Sequence, residues 1–106
     1  MEIKKGAIPS DKLEMIRPRK VVAAVFSKHN LDLWLTSGKD GTHGVGTLHY
    51  AGYAEDYDSS VEISDELGKV LEKEVQETLY DVRYDIIWHK GHLHIEFDPS
   101  SFGKYK

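Results

Sequence analysis

Val21, Val22, Val25 and Phe26 recur at one-, three- and four-residue intervals in RPRKVVAAVFSKHN, the spacing that gathers side chains on one face of a helix. Pro18 suits a first helical turn and Asn30 a stop, so the pattern predicts a helix over 18–29. Leu31 to Thr36 has the length and apolar content of a strand, broken by Ser37-Gly38-Lys39-Asp40-Gly41. Gly41, Gly44 and Gly46 make the next stretch loop-like, and His49 to Tyr57 reads as a short strand or a strand entering a turn. The clearest helix is 64–79, capped by Ser64 with acids in its first turn and an apolar stripe of Leu67, Val70, Leu71, Val75 and Leu79. Residues 1–16 are a polar lead-in, extended or with one helical turn after Ser10.

The last strands alternate cleanly. In YDIIWH-KG-HLHIEFDP a two-residue turn at Lys90-Gly91 predicts a β-hairpin ended by Pro99. Side chains alternate across a strand, so Leu93, Ile95 and Phe97 face a core while His92, His94, Glu96 and Asp98 share the other face. That turn sets His89 opposite His92, Ile87 opposite His94 and Arg83 opposite Asp98. The expected fold is therefore α+β: two helices on one face of a small, mostly antiparallel sheet, with the polar chemistry on the opposite face.

At 106 residues, with 40% hydrophobic and 30% charged residues, the chain has the size and composition of a single domain over 1–106. A net charge of −4 and a pI near 5.8 give no electrostatic reason to expect nucleic acid or an anionic membrane as partner. Arg17, Arg19 and Lys20, like Lys4 and Lys5, read as solvated faces. Without cysteine there is no disulfide, thiolate metal site or cysteine nucleophile. No apolar run approaches the ~18 residues that span a bilayer, and no secretory signal is evident. Synthesis in the cytoplasm, with release to the wall by another route, is the expected localisation.

Six histidines concentrate the candidate chemistry. His29 ends the first helix, where an imidazole suits the helix dipole, and Trp34 and Trp88 fit a core or its edge. Asp58 fits a turn. The stretch Thr47-Leu48-His49-Tyr50-Ala51-Gly52-Tyr53-Ala54-Glu55-Asp56 follows [S/T]-x-H-x-x-G-x-A-x-D, in which a His and an Asp seven residues apart can converge where Gly52 and Ala54 let the backbone pass closely. It is followed by an HxH on the C-terminal hairpin.

Together, TSGKDGTHGVGTLHYAGYAEDYD and YDIIWHKGHLHIEFDP resemble the zinc peptidases of the D-Ala-D-Ala carboxypeptidase and L-alanyl-D-glutamate endopeptidase type, VanX-like and VanY-like enzymes and small phage endolysins among them, over roughly residues 17–99. Their zinc fold is shared with Hedgehog amino-terminal domains. The resemblance implies a zinc metallopeptidase of phage or bacterial kind acting on peptidoglycan stem peptides or similar peptides with D-amino acids. It implies His49, Asp56 and His94 as Zn2+ ligands with water completing the site, His92 beside the reacting carbonyl, and Glu96 orienting a ligand imidazole. The family's substrate-binding Arg after the Ser-Gly turn has no clear counterpart; Lys39 lies at the matching place and His43 shortly after, which makes these two the substrate-binding candidates. The family's general base, an Asp or Glu three residues before the last zinc His, is Gly91 here, and a second acid two residues earlier is His89. Two expectations follow: a peptidase in which His89 takes the base's role, or a catalytically impaired zinc-binding module that holds a peptide or protein partner.

Overall fold

A computed structural model describes residues 1–40 and 52–98. These form an α+β unit of elements β1 (Glu2–Ile3), α1 (Leu13–Lys28), β2 (Trp34–Ser37), β3 (Ala54–Asp58), α2 (Asp65–Leu79), β4 (Tyr84–His89) and β5 (His92–Phe97). The five strands lie in the order β1-β2-β3-β5-β4, antiparallel except where β1 runs parallel to β2. Residues 1–16, expected as an extended lead-in or one helical turn after Ser10, hold the short strand β1 and the first turn of α1. Both side chains of β1 are exposed, so no alternation marks it in the sequence.

The β4–β5 hairpin has the register that its turn implies: His89 pairs with His92, Ile87 with His94, and Asp98 N–H donates to Arg83 O at 2.8 Å. Lys90 (φ 50°) and Gly91 (φ 82°) both take positive φ, as a two-residue I′ turn requires. Leu93 and Ile95 are fully buried and Phe97 nearly so, while His92, His94 and Glu96 are partly exposed. Both helices contribute to the core on the side of Leu93, Ile95 and Phe97: Met15, Val22, Val25 and Phe26 from α1, and Leu71, Val75 and Leu79 from α2. Val70, expected in the α2 stripe, is 45% exposed.

α1 begins five residues earlier than its expected start, which leaves Pro18 inside the helix and fully buried. A proline there removes the N–H that would bond to the carbonyl of residue 14. Tyr84 supplies the missing donor, its hydroxyl reaching Glu14 O at 2.7 Å from the edge of the sheet. The far end of α1 closes as expected at Asn30, in the left-handed region, with Asn30 N–H donating to Ser27 O and Leu31 N–H to Phe26 O. Ser64 caps α2 by accepting from Leu67 N–H.

α2 lies against Trp88, which is 4% exposed. A Cβ on Gly68 would fall 2.1 Å from the indole ring, so only glycine permits this approach. Around it, Asp65 Oδ1 accepts from Trp88 Nε1–H at 3.0 Å and Glu72 Oε1 from Trp88 N–H at 2.7 Å. Glu72 thereby occupies a backbone donor on the edge strand of the sheet.

Candidate metal centre

β3 has the sequence AEDYD, in which successive residues face opposite sides of the sheet. Glu55 and Tyr57 pair with Ile95 and Leu93 and so face the helices; Asp56 pairs with His94 and faces away. On the other side of β3 a bulge between Leu35 and Ser37 inserts Thr36, sets Ser37 opposite Asp56, and brings Thr36 Oγ1 to donate to Asp56 O at 3.3 Å.

The register converts into side-chain contact. His94 Nδ1 lies 2.7 Å from Asp56 Oδ1 and His94 Nε2 lies 2.7 Å from Glu96 Oε1, so both ring nitrogens of one imidazole face carboxylates. His92 Nε2 is 3.7 Å from the same Asp56 Oδ1. His89 stands next to His92, with ring centroids 6.4 Å apart and the rings edge to face, and is exposed at the hairpin tip. Asp56, His94, His92 and Glu96 therefore form one group, with His89 at its margin.

A neutral imidazole has one N–H and cannot donate to two carboxylates. The ring is held as an imidazolium: burial opposes the charge, but its hydrogen bonds to Asp56 and Glu96 prevail and raise the His94 pKa to about 9. The donor set also fits zinc. With Nε2–H donating to Glu96, a neutral His94 would turn its Nδ1 lone pair toward Asp56, the arrangement in which an outer carboxylate fixes the tautomer of a metal-binding histidine. A cation replacing the proton between Nδ1 and Oδ1 would meet one imidazole nitrogen and one carboxylate oxygen, ordinary zinc donors.

Among the described residues no group of three or more His, Asp or Glu is arranged to hold a metal ion on its own. Two of the three ligands implied by the resemblance, Asp56 and His94, are in contact; the third, His49, lies outside the described residues, as does His43. Lys39 follows β2, and among the described residues its ammonium is paired with Asp11 at 3.6 Å. Of the remaining residues singled out in the sequence, His29 Nε2 is 2.7 Å from Glu74 Oε1; Asp58, expected in a turn, is instead the last residue of β3, paired with Trp34, where its side chain accepts from Ser59 N–H.

Arg19 requires a correction. It is not on a solvated face but forms a two-pronged ion pair with Glu55, whose side chain is wholly buried: Arg19 Nη2 is 2.6 Å from Oε2 and Arg19 Nε is 3.1 Å from Oε1. Glu55 also accepts from Ser10 N–H at 2.8 Å and from the Tyr57 hydroxyl at 2.5 Å. Burial works against the Arg19 charge, yet Glu55 holds its pKa above the ordinary value; burial and then Glu55 push the Tyr57 phenol up. The alternation of β3 carries the signal for this network, since a strand that turns Tyr57 inward must turn Glu55 inward too.

Comparison with protein-family models, with curated proteins and with solved structures finds no match for this chain.

Proposed function

We propose that the face of β3 and β5 turned away from the helices is a zinc site, and that the protein is a zinc-dependent peptidase acting on peptidoglycan-type peptides that contain D-amino acids. The observation that carries the metal reading is His94, held between Asp56 and Glu96 at 2.7 Å on either side. The substrate class comes from the resemblance of the [S/T]-x-H-x-x-G-x-A-x-D stretch and the HxH hairpin to zinc peptidases of the cell wall. In this reading the Hedgehog/DD-peptidase-like zinc fold is the finer description of the α+β unit.

His49, Asp56 and His94 would hold the ion, with Glu96 keeping the His94 ring oriented through Nε2. Zinc bound there polarises a substrate carbonyl and acidifies a water. His92, whose Nε2 lies near Asp56, donates a hydrogen bond to the negative charge that develops on the carbonyl oxygen. Gly91 offers no proton acceptor. His89, exposed at the hairpin tip beside His92, takes that duty, accepting a proton from the attacking water and passing it to the leaving amine. Lys39 and His43 bind the substrate, Lys39 as a point charge for a carboxylate.

A second reading has a specific observation behind it. Gly91 occupies a turn position with φ 82°, next to Lys90 at 50°, and such a backbone favours glycine over an acid. A zinc-binding module that holds a peptide or protein partner without cleaving it would have this composition. Incubating the zinc-loaded protein with peptidoglycan of several stem-peptide chemistries, with mass spectrometry of the soluble fragments, separates the two. A defined new peptide terminus supports the peptidase; zinc-dependent retention on the wall without a new terminus supports the module. Neither outcome, with zinc bound, would overturn both.

A further inference from the structure

Glu55 and Asp56 are adjacent acids on one short strand, and the fold sends them to opposite faces. A shift of one residue in the pairing of β3 would exchange them, turning Asp56 toward the helices and Glu55 toward His94. The residues around them specify the observed choice only in part. Tyr53 and Tyr57 face inward, but tyrosine is amphipathic and also sits well on an exposed sheet face. Between them, Glu55 opposes burial, because an acid left unpaired in a core costs more than burying a neighbouring large side chain returns.

Arg19 reverses that balance. Its guanidinium takes both oxygens of Glu55, and Arg19 Nη2 also donates to Ser10 O at 2.9 Å. Ser10 N–H donates to Glu55, and the Ser10 hydroxyl donates to Gly52 O, just ahead of β3. Thus α1, the segment that leads into it and the start of β3 all meet on one buried carboxylate. Replacing such a pair with apolar residues is often neutral or stabilising, so its best-attested use is to select one arrangement among several.

We infer that Arg19 is a positioning residue that sets the register of β3: by accepting Glu55 into the core it places Asp56 opposite His94. Its importance for metal binding rests on the reading of Asp56 and His94 as zinc ligands; its effect on register does not.

The test compares wild type, Arg19→Met and the double variant Arg19→Met/Glu55→Gln in the full chain. The cross-strand Hα–Hα NOE between Asp56 and His94 reports register, and competition with a chromogenic chelator reports zinc affinity. In Arg19→Met the NOE should vanish or split into two sets of β3 signals, and zinc affinity should fall about 10- to 100-fold, the effect of losing support behind a metal ligand. The double variant, with a neutral amide that can bury and still accept from Ser10 and Tyr57, should regain the NOE and bind zinc within about 3-fold of wild type. A folded Arg19→Met that keeps a single NOE and full affinity, losing only thermal stability, would overturn the inference. If that variant does not fold, the double variant decides: the NOE present supports the inference, while its absence, or failure of this variant to fold as well, overturns it. Should wild type bind no zinc, the zinc reading falls and the NOE comparison still tests the register.

Discussion

His94 Nδ1 and Asp56 Oδ1 lie 2.7 Å apart across the β3–β5 pair, so a zinc ion bound as proposed would take the place of the proton between them. The metal-free ring titrates near 9, so zinc must displace a proton from it at any pH below that value. Apparent zinc affinity should therefore rise by about tenfold per pH unit from this group between pH 6.5 and 9 and then level off. Calorimetry in buffers of different ionisation enthalpy should count close to one proton released from His94 per zinc at pH 7.5. A pH-independent affinity would contradict the assignment.

The same shift acts on the stability of the metal-free protein. A folded-state pKa raised above the ordinary 6.5 means that the folded state binds the proton more tightly than the unfolded chain. The stabilisation is fully present below pH 6.5 and is lost as pH rises through about 9. Urea melts of zinc-stripped protein should show this decline, and His94→Gln should abolish it.

His92 and His89 should separate kinetically on whichever peptide is cleaved. If His92 is the proposed donor to the developing oxyanion, His92→Ala should lower kcat by about 10²–10³. His89→Ala should cost less, and imidazole added to the solution should restore much of the loss, because the exposed tip of the hairpin is open to a small base. Equal losses with no rescue would remove His89 from the proton path.

Tyr84 and Pro18 should be energetically coupled. The Tyr84 hydroxyl donates to the carbonyl of Glu14, which Pro18 cannot serve. Tyr84→Phe should cost about 1–3 kcal/mol by stranding that carbonyl. In a Pro18→Ala background, where a backbone N–H is restored, the same change should cost measurably less. Thermal or denaturant melts of the four proteins in this cycle give the coupling directly, and additivity would refute it.

Gly68 tests the packing that aligns the helix layer with the hairpin. On helix propensity alone Gly68→Ala should stabilise by about 1 kcal/mol. The 2.1 Å approach of its new Cβ to Trp88 should reverse the sign, giving a net loss of about 1–3 kcal/mol. Trp88→Leu in the same chain should recover part of that loss, as measured by denaturant midpoint.

The parts of this fold legible in the sequence are those where side-chain period and turn chemistry agree. The β4–β5 register follows from alternation on both strands and a two-residue turn ending in glycine, and it already sets His89, His92 and His94 on one face. α2 is legible from Ser64 and its apolar stripe. The parts that escape it are settled by distant partners. The first turns of α1 carry no capping side chain, and Pro18 reads as a start because the donor that lets it sit deeper, Tyr84, is 66 positions away. Two exposed residues make β1, which has no pattern to find. Arg19 resembles any surface arginine until Glu55 is seen to face inward. Of the candidate ligands, the contact of Asp56 with His94 depends on β3–β5 pairing, which neither local pattern contains.

Whether Asp56 and His94 hold a zinc ion, as proposed, can be read from isothermal titration of zinc into chelator-stripped protein. One zinc should bind per chain, with affinity lost by at least about 100-fold in Asp56→Ala and in His94→Ala, and a smaller loss of about 10- to 100-fold in Glu96→Gln, whose proposed role is only to orient the ring. Absence of stoichiometric binding in wild type, or binding unchanged by both ligand substitutions, would contradict it.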